Sequence, residues 1–374
     1  MRVCIDGQSL LTKRTGIGNY TYNLIDKISL NNHPYDVSVF ANSMRGNLVQ
    51  EFQNTTIDFK LTRFPYKIYK KCVYDYNINI GLFAGSFDLF HSTNFIAPKI
   101  GRNKKLVITV HDLAFKYFPE MIEKETLNLI NEYLPRSLER ANKVIAVSEN
   151  TKKDLIINYS IDPNKIVVTP LACNREQYQR VSNEEKIAVV KTKYNILNDY
   201  FIYIGTLEPR KNIPNLIKAF NKVANTYENI SLVLVGQKGW GYEEISKLIN
   251  EFNLEDRIIF TGYVPDEEVP ALLSGSISFV YPSFYEGFGL PVLEAFSCGI
   301  PVITSNNSSL PEVAGELGVY VDPYNVDDLA NKLNKMLEEK HNLDSKKYIE
   351  RAKQFSWESL AEKTSDVYMK LLYK

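Results

Sequence analysis

At 374 residues the chain is long enough for two domains, each able to bury its own core. Its 44 Lys and Arg balance 44 Asp and Glu, so no overall basic field exists to recruit nucleic acid. Four widely spaced cysteines (Cys4, Cys72, Cys173 and Cys298) form neither a zinc pattern nor a redox motif. No apolar run approaches the ~20 residues of a membrane span, and the first residues read as a strand rather than a signal peptide. A reducing cytoplasm is the expected setting.

Short apolar runs alternate with longer helical patterns along the whole chain. In the first half, strands are expected at 2–6, 36–41, 56–61, 87–92, 105–111, 143–148 and 165–170. In the second half they are expected at 200–207, 230–236, 257–264, 277–282, 301–305 and 318–321. Runs such as Leu106-Val107-Ile108-Thr109-Val110 and Leu232-Val233-Leu234-Val235 are apolar almost without a break, which suits strands covered on both faces. The fold class expected is therefore α/β, with two doubly wound, Rossmann-like domains. A polar stretch between residues 171 and 200, holding one short helical pattern at 184–194, separates them. The organisation expected is an amino-terminal domain at 1–172, a carboxyl-terminal domain at 173–355, and a final helix at 356–374 with Ser356 as its N-cap.

Ligands of open α/β sheets bind outside the carboxyl ends of the strands, and the unusual residues of this chain cluster there. After the strand ending near Pro282 comes Ser283-Phe284-Tyr285-Glu286-Gly287-Phe288-Gly289-Leu290-Pro291, then a helix carrying Glu294. Gly287 and Gly289 let the backbone approach a ligand, and the helix start offers free N–H groups and a positive dipole end to an anion. Glu286 and Glu294 can border one ligand at different points. A second loop, Gly205-Thr206-Leu207-Glu208-Pro209-Arg210-Lys211-Asn212, sets adjacent cations at another strand end; alone, such a pair is usually solvated. The strand at 105–111 ends in His111-Asp112, a histidine able to touch a substrate or merely to orient a loop. Gly16 and Gly18, in Thr15-Gly16-Ile17-Gly18-Asn19-Tyr20, open the first helix. They lie too far beyond the first strand for a dinucleotide fingerprint, whose third glycine position is Thr21 here. Their backbone N–H groups suit a phosphate or a sugar better. Ser309-Leu310-Pro311-Glu312 matches a capping box. Between residues 60 and 76, Lys60, Arg63, Lys67, Lys70 and Lys71 alternate with Phe64, Tyr66, Tyr69, Tyr74 and Tyr76, a mixture suited to an anionic membrane surface.

At these residues the chain resembles glycosyltransferase family 4, the large retaining GT-B family. The likeness runs from Gly16-Ile17-Gly18 to Phe355-Ser356-Trp357-Glu358, and its most specific parts are the Glu286-to-Glu294 string and Cys298-Gly299-Ile300-Pro301-Val302-Ile303. The resemblance implies two Rossmann-like domains facing across a cleft, the second holding a nucleotide-sugar donor and the first an acceptor, with the last helix crossing back onto the first. It assigns Glu286 and the backbone of Phe288, Gly289 and Leu290 to the donor sugar. It assigns Glu294 to the ribose, Arg210 and Lys211 to the diphosphate, Gly262 and Tyr263 to the base, and His111 to the neighbourhood of the anomeric carbon. Thr206 stands where many members carry an arginine, so the usual pair of cations is altered and Arg210 is the expected substitute. The subfamily flavour is similar to bacterial mannosyl- and hexosyltransferases of surface-polysaccharide assembly. Transfer of mannose from GDP-mannose to a glycan or polyprenyl-linked acceptor is therefore expected. A UDP-sugar donor, or a nucleotide-sugar epimerase of the same fold, is the alternative. No Asp-x-Asp occurs, so neither metal nor cofactor is expected.

Overall fold

A computed structural model of the protein describes residues 1–11, 16–30, 32–45, 57–339 and 344–373. The chain divides into two compact units, Met1–Leu171 together with Ser356–Lys374, and Ala172–Phe355. Each unit is one wholly parallel sheet flanked by helices.

In the first unit the strands are β1 (Arg2–Asp6), β2 (Asp36–Asn42), β3 (Asp58–Thr62), β4 (Leu89–Ser92), β5 (Lys105–Val110), β6 (Lys143–Ala146) and β7 (Ile166–Val168), in spatial order β3-β2-β1-β4-β5-β6-β7. In the second they are β8 (Asp199–Ile204), β9 (Ile230–Val235), β10 (Ile258–Gly262), β11 (Ser278–Tyr281), β12 (Val302–Ser305) and β13 (Gly318–Val321), in order β10-β9-β8-β11-β12-β13. Every expected strand has its counterpart, and several end sooner where glycine or proline intervenes, β8 before Gly205, β9 before Gly236 and β11 before Pro282. Thr56, the first residue of the expected third strand, lies outside the described residues, as does Thr15 of the glycine motif. The central strands are buried along their length, β9 from end to end, as uninterrupted apolar runs require.

In both sheets the strand order reverses direction once, between β1 and β4 and between β8 and β11. Those are the points where helices leave to opposite faces and a crevice opens at the carboxyl ends of the strands. The helix Trp357–Leu372 is capped by Ser356, whose hydroxyl accepts from the Ser359 N–H at 3.1 Å, and it packs on the helix Gly16–Leu30. Its buried Tyr368 hydroxyl meets His91 Nδ1 at 2.5 Å. His91 Nε2 meets the Thr109 hydroxyl at 2.7 Å, and that hydroxyl pairs with Tyr20 at 2.8 Å. Burial holds the His91 imidazole neutral, with its pKa driven down to about 3.

Candidate active site

The site of the second unit is built at the ends of β8 and β11. Gly205 turns the chain out of β8 with φ of +152°, against Gly236 at the end of β9. A Cβ on Gly236 would come within 2.0 Å of the Gly205 carbonyl oxygen, so this approach of two backbones excludes any side chain there. The loop then runs through a single 3₁₀ turn, Pro209–Lys211. Asn212 ends the turn in the left-handed region, and its amide donates to the Pro282 carbonyl at 3.0 Å and the Pro323 carbonyl at 2.7 Å. These bonds fasten the loop bearing Arg210 and Lys211 onto the segments that follow β11 and β13.

Three charged groups meet there. Lys211 Nζ donates to Glu286 Oε1 at 2.7 Å and to the Tyr281 hydroxyl at 2.8 Å. Arg210 donates to Glu286 Oε2 at 3.1 Å, to the Tyr285 carbonyl at 2.6 Å and to Glu208 Oε1 at 3.0 Å. Lys211 and Glu286 are both buried. Burial alone would raise the Glu286 carboxyl, but Lys211 and then Arg210 outweigh it and hold its pKa down at about 2. Burial lowers the Lys211 ammonium, opposed chiefly by Glu286. The result is a water-poor cluster of two cations and one anion beside a second, more exposed carboxylate, Glu208. Such a cluster keeps positive charge in place without reorganisation.

Immediately after Glu286 the chain turns through Gly287 and Phe288 to Gly289, whose φ of +112° starts the helix Leu290–Ser297. A Cβ at Gly289 would lie 2.9 Å from the Leu310 side chain, so both backbone angle and space require glycine. The capping box expected at Ser309 does not form. The Ser309 hydroxyl makes no cap bond to its own helix and instead donates to the carbonyls of Glu286 (2.9 Å) and Phe288 (2.8 Å). The neighbouring Ser308 hydroxyl accepts from the Glu286 N–H at 3.1 Å. The pattern matched a local motif, but tertiary partners captured the side chain. Ser308, Ser309, Tyr281 and Asn212 are thus the supports of Glu286 and Lys211 that sequence reasoning missed. Asn212 stood inside a loop singled out from sequence without a role of its own, and the signal at Ser309 pointed elsewhere.

Glu294 stands in the second turn of the helix. Burial pushes its carboxyl pKa up to about 7, with the Tyr178 hydrogen bond opposing and Asp266 adding to the rise. Gly262 closes β10 with φ of +67° and open space where a side chain would be, followed by an exposed Tyr263. The structure therefore joins Arg210, Lys211 and Glu286 directly, with Gly287, Phe288, Gly289 and Leu290 in the next turn of chain. Glu294 lies one turn further on, and Gly262 and Tyr263 at a separate strand end.

The remaining residues singled out from sequence lie in the first unit. His111, just past β5, is buried, and its Nε2 pairs with the Thr93 carbonyl at 2.8 Å. A carbonyl only accepts, so Nε2 carries the proton and Nδ1 is left as an acceptor rather than a donor. Burial depresses its pKa, against a smaller opposing effect of the Thr93 bond. The Tyr20 ring stands edge-on to it at 4.9 Å. Gly16 and Gly18 form the first turn of the helix Gly16–Leu30, Gly16 exposed and Gly18 buried. The basic and aromatic stretch folds as β3, the helix Tyr66–Lys70 and a wide π turn at Lys71–Asp75. Phe64, Tyr66, Ile68 and Tyr76 are exposed, while Tyr69 is buried. Among the described residues no three His, Cys, Asp or Glu side chains could together hold a metal ion, and no helix is long and apolar enough to cross a membrane.

Two doubly wound parallel units, the second carrying a buried cation–carboxylate cluster at its switch point beside a helix start, define a glycosyltransferase of the GT-B class. Residues 14–177 match the family model described as Glycosyltransferase Family 4, and residues 187–355 the model described as Glycosyl transferases group 1. The chain is 36% identical over 283 residues to O-antigen chain mannosyltransferase B of Escherichia coli, covering 75% of this chain and 74% of that one. It is 31% identical over 240 residues to the serotype-specific mannosyltransferase WbdA of Escherichia coli, 63% of this chain but only 29% of that longer protein. Among solved structures, sucrose-phosphate synthase from Thermosynechococcus elongatus superposes with a TM-score of 0.76 at 21% identity, over 99% of this chain and 98% of that one. The chain belongs to glycosyltransferase family 4.

Proposed function

We propose that this enzyme transfers mannose from GDP-mannose, with retention of anomeric configuration and without a metal ion, to a hydroxyl of a glycan or lipid-linked acceptor. The observation that carries the reading is the cluster of Lys211, Arg210 and Glu286 at the β8/β11 switch point, in a chain 36% identical to an O-antigen mannosyltransferase. Glycosyl transfer from a nucleotide sugar passes through an oxocarbenium-like state while negative charge grows on the departing diphosphate. Lys211, Arg210 and the N–H groups opening the helix at Leu290 would stabilise that charge. Glu286 keeps unused lone pairs on both oxygens after pairing with the two cations, and these would accept donor-sugar hydroxyls. A carboxylate engaged on hydroxyls is not placed to attack the anomeric carbon. A same-face transfer, in which the leaving phosphate takes the acceptor proton, therefore fits better than double displacement. Glu294 would bind the ribose hydroxyls, Gly262 and Tyr263 would flank the base, and His111, with Gly16 and Gly18, would serve the sugar side.

The test is a panel of nucleotide sugars with product configuration read by NMR and nucleotide binding read by calorimetry. GDP-mannose should be turned over at least tenfold better than UDP-glucose or UDP-N-acetylglucosamine, giving an α-linked product. Preference for a UDP-sugar would refute the donor assignment, and a β-linked product the stereochemistry. The same calorimetry probes Glu294. Its carboxyl pKa is raised to about 7, so the protonated form stabilises the folded free enzyme at low pH, and that contribution is lost as pH rises through 7. A ribose needs the ionised acceptor. GDP affinity should therefore rise several-fold from pH 6 to pH 8, and Glu294→Gln should flatten that profile. A wild-type profile that is already flat would remove Glu294 from the nucleotide site.

We also propose that the exposed face around Arg63, Phe64, Tyr66, Lys67, Ile68 and Tyr76 rests on an anionic membrane surface, where a lipid-linked acceptor would be found. The enzyme would then work peripherally on the cytoplasmic leaflet. Sedimentation with vesicles containing phosphatidylglycerol should pull down the protein at low salt and release it as salt rises. No sedimentation at low salt would end this idea.

A further inference from the structure

In the sheet of the second unit, β9 lies between β8 and β10. The ends of both neighbours are assigned to the donor: Arg210 and Lys211 beyond β8 to the diphosphate, Gly262 and Tyr263 at the end of β10 to the base. The loop that leaves β9 between them is Gly236-Gln237-Lys238-Gly239-Trp240-Gly241. It is tied on both sides. Towards β10, the Gly236 N–H donates to the Gly262 carbonyl at 2.9 Å. Towards β8, the Leu207 N–H donates to the Gln237 carbonyl at 3.0 Å, and the Gly239 N–H to the Leu207 carbonyl at 3.1 Å. The approach at Gly239 is so close that a Cβ there would lie 2.6 Å from the Leu207 carbonyl oxygen. Gly241, with φ of +80°, then turns the chain into the helix Tyr242–Glu251. Trp240 therefore stands on backbone pinned to both donor-site strand ends. Yet it is 53% exposed, and among the described residues its indole makes no hydrogen bond, ring contact or cation contact. A large aromatic held in water on a fixed loop is an unfilled stacking face.

We propose that Trp240 stacks on the guanine base of the donor and sets this enzyme's preference for a purine nucleotide. This inference rests on the nucleotide-sugar reading above and adds to it the side chain that recognises the base by its face. The strand order carries it. Neighbouring strands lie about 4.8 Å apart, so the ends of β8 and β10 are about 10 Å apart with the β9 loop in the gap. A nucleotide with its diphosphate at Lys211 and its base at Gly262 crosses that gap, and there it meets Trp240. The transferred sugar lies the other way, towards Glu286 beyond β11, on the far side of β8 from β9. An indole binds a base through its π-face, and the two rings of a purine overlap it more fully than the single ring of a pyrimidine. Gly262 leaves room for that base, since no atom lies within 4 Å of where its Cβ would be.

The experiment is tryptophan fluorescence of the full chain titrated with GDP, UDP, pyrophosphate and methyl α-mannoside, with calorimetry and donor kinetics on variants. The chain has two tryptophans, Trp240 and the buried Trp357. GDP should quench the emission with the dissociation constant that calorimetry gives. Trp240→Phe keeps a smaller stacking face, so it should abolish most of the quench yet weaken GDP binding no more than about threefold. Trp240→Ala should weaken GDP binding about 5- to 100-fold, the range of one base–aromatic stack, and UDP binding by less. The donor KM should rise in step while kcat at saturating donor does not fall, because Trp240 touches no reacting atom. Melting temperature should hold, since the side chain is exposed. The inference is overturned if GDP binds without quenching, if Trp240→Ala binds GDP as the wild type does, or if pyrophosphate or methyl α-mannoside quenches as GDP does. Quenching by UDP in place of GDP, lost in Trp240→Phe, would instead refute the guanine donor and uphold Trp240 as the base-stacking residue.

Discussion

Replacing Glu286 by glutamine is expected to lower turnover at least a hundredfold and to destabilise the protein measurably while leaving it folded. The two effects have separate origins. The carboxylate bonds Lys211 and Arg210 at 2.7 and 3.1 Å in a buried site. Removing one partner of such a cluster leaves uncompensated charge, a loss of about 3–5 kcal/mol when burial is complete. An amide oxygen retains part of each bond, so the low end of that range is expected, a fall in melting temperature of roughly 5–10 °C for a unit of this size. The catalytic loss follows because the proposed hydroxyl acceptor becomes neutral and half its capacity turns into donors. The pH dependence separates the terms. Glu286 is held at about 2, below its ordinary 4.5. Its contribution to stability is therefore present above pH 4.5 and lost as pH falls towards 2. The wild type should lose its advantage over Glu286→Gln across that acid range and keep it at neutral pH. Melting curves from pH 2 to 8 with turnover at pH 7.5 are the measurement. A folded variant with near-normal turnover would displace Glu286 from the site.

Lys211→Ala is expected to cost as much in rate, and no added metal should restore it. Electrostatic groups aimed at developing charge in a water-poor site are each worth roughly 10²–10³ in rate, and Lys211 is buried with its ammonium fixed by Glu286 and Tyr281. The wild type should keep most of its activity in excess EDTA, since fixed cations and helix N–H groups would do the work a divalent ion does elsewhere. Magnesium can still bind the phosphates of free nucleotide, so slight stimulation carries no weight. If EDTA abolished wild-type turnover and manganese or magnesium restored it, the cationic mechanism would be wrong. Should Lys211→Ala prove too unstable, Lys211→Arg preserves charge in a bulkier form and should recover part of the rate.

Much of this was legible from residue order alone, because doubly wound sheets write themselves in long apolar runs. Leu232 to Val235 has few alternatives as a strand, and its boundaries were off only where Gly236 turns the chain. The strand-loop-helix string around Glu286 was equally plain, since glycine, proline and carboxylates recur at the places where a backbone must come close to an anion. What sequence could not show is pairing across distance. Arg210 and Glu286 are 76 positions apart, and nothing near either one reveals that they share an ion pair. Ser309 shows how a local rule loses to tertiary structure: its hydroxyl fits a helix cap, yet two carbonyls of the Glu286 loop lie nearer.

The helix Trp357–Leu372 belongs to the same unit as Met1–Leu171, so Ala172–Phe355 is an insertion into the unit it follows. One unit is continuous in sequence and the other is not. On the ribosome, the segment bearing Glu286 and Lys211 has all its strands before the earlier-made unit receives its last helix. Until then the Gly16–Leu30 helix lacks its cover, and His91, deep in the sheet, lacks the Tyr368 hydroxyl that satisfies its second nitrogen. The half of the enzyme that is translated first is therefore the half that is finished last.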